Sequence, residues 1–511
     1  MESLAETPWD VTISGTGLAQ SLLALALSRS GKKVIHVDRN PYYGGSEAAL
    51  SLQEAQEWVS RVNQEPDNFP FEDAAIHCPD GTRLSASRTY TLSLSPQLIY
   101  SRSRLVPTLV SSKVYRQLEF QAVGSWWIHR APSSLAKSED TAGGRALFRV
   151  PGSREDVFAD DTITVKSKRT LMRFLRHIGK PQEDDEAGVE EDDLSLPEYL
   201  SSKFQMPSEL HDPLLSLSLS QAALQQTSVE YAVPRIKRHL ASIGVFGPGF
   251  GALLAKWGGG AEVSQVGCRA LAVGGGIYVL NAGINSITSI TEARDDNQAL
   301  AEVHLSNGET IKTKFVVGSH WDLPSQNRPS CDKVARSITV VSSPLENLFP
   351  ITVEGSPVPA GAVVVFPGAS LGRGDDSSPV YILAHSSDTG ECPSGQSVLY
   401  SSVSVAGAEG QSLIEEAINK LLGSSDAGAT VLWSLRYTQL GKASNSSRTG
   451  TPSLNRLSEN VICFPPGNLD LAFDDAMIDM VKEAWKLVMG GEVDEDTFME
   501  FEDREGAYNE E

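Results

Sequence analysis

Near the N-terminus, two glycines and an acid are spaced for chemistry on a dinucleotide. Gly15 and Gly17 close one apolar run, and Asp38 ends a second about twenty residues later. In a strand–helix–strand unit such glycines permit a tight turn and a close approach of backbone to a pyrophosphate. The helix N-terminus then stabilises the anion, and the acid holds a ribose hydroxyl. The third glycine of the pattern lets helix and strand pack closely, but this chain has Gln20 there. A long polar side chain at that point predicts a first helical turn that sits less closely on a pyrophosphate. On these residues a flavin enzyme and a flavin fold without flavin both remain open. Little else in the chain is equipped for redox chemistry. Cys78, Cys268, Cys331, Cys392 and Cys463 are scattered, with no CxxC pair, and read as reduced structural thiols. With nine dispersed histidines they assemble no zinc site. Gly274-Gly275-Gly276 offers another backbone turn, a pattern that by itself specifies no ligand.

The elements around these residues read as a mixed α/β chain. Residues 10–60 alternate as strand, helix, strand, turn and helix, with "RNPYYGG" (39–45) as a Pro/Gly turn. Residues 1–150 form the first part of a βαβ domain, and 131–146 have the composition of an inserted loop. From 151 to 232 the pattern turns helical. Apolar residues at 171, 172, 174, 175 and 178 have helical spacing opposite a basic face. An acidic loop follows at 182–193. Residues 233–467 return to strands and hairpins, 468–490 predict a C-terminal helix, and the acidic 491–511 read as a disordered tail.

A chain of 511 residues holds several structural units. Its 43 basic against 65 acidic side chains give a net charge of −22, which argues against nucleic-acid binding driven by phosphate contacts. The start lacks the basic segment and apolar run of a signal peptide. The longest apolar run, Leu18 to Leu27, is short of the ~20 residues that span a bilayer. A cytoplasmic protein that touches membranes only at their surface is expected.

The stretch "GTGLAQSLLALALSRSGKKVIHVDRNPYYGG" closely resembles the superfamily of Rab GDP-dissociation inhibitors and Rab escort proteins. That family carries a G-T-G-L turn without the third glycine, followed by G-K-K-V, then D-R-N-P-Y-Y-G-G. Residues 93–123, 150–175 and 261–280 are similar to further family blocks, so the resemblance covers roughly half the chain. It implies a flavin-monooxygenase-like βαβ domain I without flavin chemistry or other cofactor, and an inserted small all-helical domain II. The escort branch, the accessory component A of Rab geranylgeranyltransferase, is the closer. Its implied partners are Rab GTPases in the GDP form, the catalytic heterodimer of the transferase, the geranylgeranyl lipid and, transiently, a membrane. A recycling GDP-dissociation inhibitor and an FAD-dependent oxidoreductase are the alternative readings.

By motif position the resemblance puts a Rab-binding platform at Arg39, Tyr43, Glu262, Arg269 and Tyr278, and makes Gly15, Gly17 and Asp38 a vestigial nucleotide turn. Competing readings are an ion pair between Glu262 and Arg269 and a core role for Tyr278. The family's G-E-x-P-Q is Ala261-Glu262-Val263-Ser264-Gln265 here, so the turn before Glu262 is expected to be looser. Leu171, Leu175, Leu214, Leu215 and Leu219 are candidates for a lipid groove, against ordinary helix packing. Arg169, Arg173 and Arg176 are candidates for transferase contact, against a solvated basic face. Phe473, Met477 and Met480 are candidates for binding a variable Rab tail, since methionine-rich surfaces adapt to varied partners.

Overall fold

The computed structural model describes residues 4, 7–130, 146–152, 154–161, 163–179, 194–291, 299–324, 329–374, 376–443, 453–491 and 493–501. The opening motif folds as its pattern predicts. Strand Trp9–Ser14 leads through the glycine turn into helix Leu18–Arg29, and strand Val34–Asp38 returns parallel to the first. Strand Ile277–Leu280 pairs parallel with Val34–Asp38 on one side. Thr310–Ser319 pairs parallel with Trp9–Ser14 on the other, and Val461–Phe464 follows it. An antiparallel hairpin, Ile284–Thr291 and Ala299–Leu305, extends the same sheet. Helix Leu18–Arg29 has nine buried residues. Such a helix needs cover all round, and helices Gly260–Val273 and Ala476–Met489 flank it.

A second, ten-stranded sheet is mostly antiparallel. Its strand Gly361–Phe366 is fully buried, and its alternate side chains enter different cores. Ala362, Val364 and Phe366 pack with helix Gly407–Ser425. Val363 and Val365 face the helical unit, in one core with Leu171, Phe174, Leu200 and Leu214. The described helices of that unit are Arg154–Ala159, Val165–Ile178, Leu196–Phe204, His211–Ser218 and Val229–Ser242. Local chemistry starts several of them. Thr164 caps one, Ser195 and Glu198 form a capping box, and Ser228 caps the last.

Several sequence expectations are corrected. The boundary at 232/233 falls inside helix Val229–Ser242, because Ser228 starts that helix and its buried face continues to His239 and Ser242. The C-terminal helix starts at Ala476 rather than 468. The chain before it is extended and bonded, with Leu469 N donating to Lys442 O and Phe473 N to Leu98 O. The insertion 131–146 lies almost wholly outside the described residues, as does the acidic loop 182–193. Within the expected tail, residues 493–501 are described and pack against the fold. Met499 is 2% exposed, and Phe498 and Phe501 pack on the core of the first helix. The Arg29 guanidinium lies over the Phe501 ring, and Lys482 and Lys486 both reach Glu495. The apolar residues of "TFMEF" outweigh the surrounding acids because basic and apolar partners wait for both.

Met499→Ala is expected to cost about 2 kcal/mol, the lower end for a buried methionine, since a short docked segment can relax. Removing the chain from Asp494 onward should cost more. Urea denaturation of both variants checks this, and unchanged midpoints would show that the segment does not dock in solution.

Candidate functional site

The glycine turn is held by its own acid. Thr16 donates to Asp38 Oδ2 from its backbone N at 2.7 Å and its hydroxyl at 2.6 Å, and Asn40 N donates to Oδ1 at 2.7 Å. Burial pushes the Asp38 carboxyl up, and these donors oppose that. Thr16 also reaches the next turn. Gly44 N donates to Thr16 Oγ1 at 3.0 Å and to Thr16 O at 3.2 Å. Gly44 has φ +104°, and a Cβ there would lie 2.9 Å from Ala48 Cα and 3.3 Å from Ala261 Cα. Only glycine meets both demands. The turn bearing Tyr42 and Tyr43 is thereby fixed to the nucleotide loop and to the helix of Glu262.

The residues present do not fit a flavin dinucleotide. A Cβ on Gly15 would fall 2.3 Å from Asp322 Oδ2, and one on Gly17 would fall 2.8 Å from Gln20 Oε1. The Gln20 amide donates to Asp322 at 3.0 Å, and Ser319 donates to the same carboxylate. Leu18 N, in the first helical turn, donates to Glu47 at 3.3 Å. The approach to a pyrophosphate is therefore filled by an amide and two carboxylates, and the ribose acid is committed to Thr16. Gln20 is buried and folds back over the glycines.

Four of the five platform residues gather at the edge of the parallel sheet. The Tyr43 and Tyr278 rings meet edge-on at 6.0 Å. The Tyr278 hydroxyl lies 2.9 Å from His36 Nδ1, and His36 Nε2 lies 2.5 Å from Gly15 O. Burial lowers the His36 pKa to about 4, so the ring is neutral. A carbonyl only accepts, so Nε2 carries the proton and Nδ1 accepts from Tyr278. Glu262 and Arg269 share helix Gly260–Val273. The Arg269 charge acts on both Tyr43 and Glu262, and the two make no ion pair with each other. Arg269 is exposed, while Tyr43, Glu262 and Tyr278 are half-buried. The turn before Glu262 is not looser, since three glycines let the helix begin at Gly260 and place Glu262 in its first turn. Arg39 runs against Gly283, and its charge reaches Asp322.

In the helical unit, Leu171, Leu175 and Leu214 line a cavity of about 710 Å³ with Val157, Leu210 and Leu240. Leu215 and Leu219 do not line it. They are buried in the core, since their side of helix His211–Ser218 faces the sheet, where Tyr381 donates to Leu215 O at 3.5 Å. Arg169, Arg173 and Arg176 border an open groove with the exposed Phe158 and Val165. Arg173 is partly committed, donating to Phe204 O and lying over the Phe204 ring. Phe473 is 2% exposed, and a residue locked in the core cannot anchor a passing tail. Met477 and Met480 line a different cavity, beside Gln20 and Asp322. Sequence reading passed over Thr16, His36, Glu47 and Asp322. Thr16 and His36 stand inside the quoted motif and Glu47 just after it, whereas Asp322 has no local signal.

A family model described as GDP dissociation inhibitor matches residues 5–430. The Rab proteins geranylgeranyltransferase component A of Candida albicans is 30% identical over 406 residues, covering 77% of this chain and 59% of that protein. Its Saccharomyces cerevisiae counterpart is 28% identical over 416 residues, covering 81% and 64%. This chain thus spans about three fifths of the length of these relatives. The crystal structure of Rab GDI from Plasmodium falciparum superposes with a TM-score of 0.64 at 19% identity, covering 95% of this chain and 99% of that one. It shares the fold.

Burial and the Asp38 charge push the Asp322 carboxyl up to about 6. A carboxyl raised in the folded state holds its proton more tightly there than in the unfolded chain. Its contribution to stability is full below the ordinary carboxyl range and is lost as pH rises to about 6. Asp322→Asn is therefore expected to stabilise the fold at neutral pH by about 1–3 kcal/mol and to flatten stability between about pH 4 and 6. Urea denaturation at a series of pH values measures both. A variant less stable than the parent at neutral pH contradicts the expectation.

Proposed function

The chain belongs to the GDP dissociation inhibitor family, and from that premise we propose that it is a Rab escort protein. It binds newly made GDP-bound Rab GTPases, presents them to the catalytic heterodimer of Rab geranylgeranyltransferase, and carries the lipidated product to a membrane. In this reading it is the non-catalytic accessory component. The observation that carries the reading is the coupling of the nucleotide loop to the platform. Thr16 holds Gly44 under Tyr43, and Gly15 holds Tyr278 through His36. A loop with these ties presents a protein-binding surface instead of a cofactor. Tyr43 with Tyr278, beside an exposed Arg269, has the composition of an interface hot spot, in which tyrosine and arginine are over-represented. Arg39 and Glu262 complete the platform, with Glu262 and Arg269 pairing to different groups of the GTPase.

The apolar cavity bordered by Leu171, Leu175 and Leu214 is the proposed receptor for the geranylgeranyl chain. Removing such a chain from water stabilises the complex by ~0.8 kcal/mol per CH₂. The open basic groove at Arg169, Arg173 and Arg176 is proposed to meet the transferase. No described helix is long and apolar enough to cross a membrane, and delivery is proposed to proceed through peripheral contact. Escort is favoured over recycling by the relatives named as component A.

A reconstituted reaction of unprenylated Rab, catalytic heterodimer and geranylgeranyl diphosphate tests the reading. Adding this protein is expected to permit Rab lipidation, and an unmodified Rab would refute the escort role. Arg269→Ala should weaken Rab binding by about 1–3 kcal/mol, measured by calorimetry on the folded variant. Leu175→Trp, which fills part of the helical cavity, should weaken prenylated Rab by about tenfold while sparing the unprenylated form. Equal losses for both forms would place the lipid elsewhere.

A further inference from the structure

Among the described residues, four with apolar side chains hold their backbone in the left-handed region. Three of them, Leu219, Leu345 and Met499, are at most 4% exposed, so burial offsets the cost of that conformation. The fourth is Trp257, which has φ +57° and is 39% exposed. Neither the freedom of a glycine nor a fully buried ring accounts for it. Such strain persists only where the surroundings over-determine it, and it concentrates where a protein meets its ligands.

The surroundings of Trp257 do over-determine it. Its backbone N donates to Thr389 O at 2.9 Å. Gly390, at φ +77°, lies under the edge of the indole, where a Cβ would fall 2.5 Å from Trp257 Cδ1. The turn made by these two residues is in turn fixed from the second sheet. Glu391 Oε2 accepts from the Tyr400 hydroxyl at 3.1 Å and lies 2.7 Å from His385 Nδ1. Thr91 N donates to Glu391 O at 3.1 Å. His385, Glu391 and Tyr400 are at most 3% exposed.

Trp257 also stands at the entry to the platform helix. Gly258 and Gly259 follow it, and Glu262 N donates to Gly259 O at 3.2 Å. A Cβ on Gly258 would fall 2.3 Å from Ala49 Cβ, so the chain between Trp257 and Glu262 has one close-packed path. The Lys256 ammonium lies 4.6 Å from the centre of the indole but is already paired with Glu119 at 3.1 Å. What this spot offers a partner is therefore the apolar ring. Tryptophan, tyrosine and arginine are the residues enriched at interface hot spots, and Trp257 adds the first of these to a face that holds the other two.

We propose that Trp257 is a further anchor of the GTPase-binding face, its exposed indole packing on an apolar surface of the GTPase, and that Gly390 and the buried His385–Glu391–Tyr400 network position it. The inference rests on the escort reading and extends the platform beyond the five residues placed by resemblance.

Calorimetry with a GDP-bound Rab and the purified full-length chain, without transferase, tests it. Trp257→Ala is expected to lower affinity about thirtyfold, as loss of a hot spot does, whereas Trp257→Phe retains most of it. Trp257→Asn suits the left-handed backbone, so it should melt within a few degrees of the parent yet bind as weakly as Trp257→Ala. Gly390→Ala, which displaces the indole, should lower affinity about tenfold in the parent and add nothing in the Trp257→Ala background, since neighbours that act through one contact are non-additive. Val358→Ala, an exposed apolar residue elsewhere, serves as the control with unchanged affinity. Unchanged binding by Trp257→Ala while Arg269→Ala weakens it overturns this inference alone. Loss of affinity only in proportion to loss of melting temperature overturns it too, because that is what a purely structural residue would show. A full additional loss from Gly390→Ala in the Trp257→Ala background overturns the positioning role. A parent chain that binds no GTPase refutes the escort reading, and this inference falls with it.

Discussion

A buried carboxylate cannot stay unsatisfied, and the structure around the N-terminal turn follows from how Asp38 meets that constraint. In a dinucleotide site a ribose would supply the donors. Here Thr16 and Asn40 supply them from the chain itself. Because the Thr16 hydroxyl donates to Asp38, its lone pair is free to accept from Gly44. One side chain thus joins the loop of a nucleotide fold to the turn that carries the two tyrosines. The cost of leaving any of these buried groups unpaired, ~1–3 kcal/mol each, makes the two turns behave as one.

The same logic extends to both sides of the loop. On one side, neutral His36 passes the hydrogen bond of Gly15 on to Tyr278 and so sets the aromatic edge of the platform. On the other, Gln20 and Asp322 close over the glycines from within. A fold that elsewhere exposes its first turn to a cofactor has turned that surface inward. The result is a rigid base under an outward face of Tyr43, Glu262 and Arg269. Were that face to bind a partner, less would be lost to ordering side chains.

The helical unit is organised by a different constraint. Its helices share one core with the ten-stranded sheet, so most of their leucines are consumed by packing and only some border open space. Leu171, Leu175 and Leu214 border the cavity, while Leu215 and Leu219 close the core behind it. A cavity of this kind needs the sheet at its back. Without it the same helices would bury their apolar faces on one another.

The sequence by itself determined the elements whose cause is local. The spacing of Gly15, Gly17 and Asp38 set the βαβ unit, Ser195 with Glu198 set a helix start, and the Pro/Gly turn at 39–45 set where the tyrosines stand. Periodicity also told that helix Val165–Ile178 has a buried face. It could not tell what lies against that face, and this is why the leucines divided between cavity and core only in three dimensions. Phe473 became core and the segment 494–501 docked because partners distant in sequence, Leu98 and Arg29 among them, happen to reach them. The largest gap is Asp322. It arrives on the glycine turn from about 300 residues away, and no local pattern encodes such a meeting. The sequence raised the question of an occupied nucleotide site through Gln20, and only tertiary contact answered it, because what fills a cradle is decided by whichever side chain the fold brings over it.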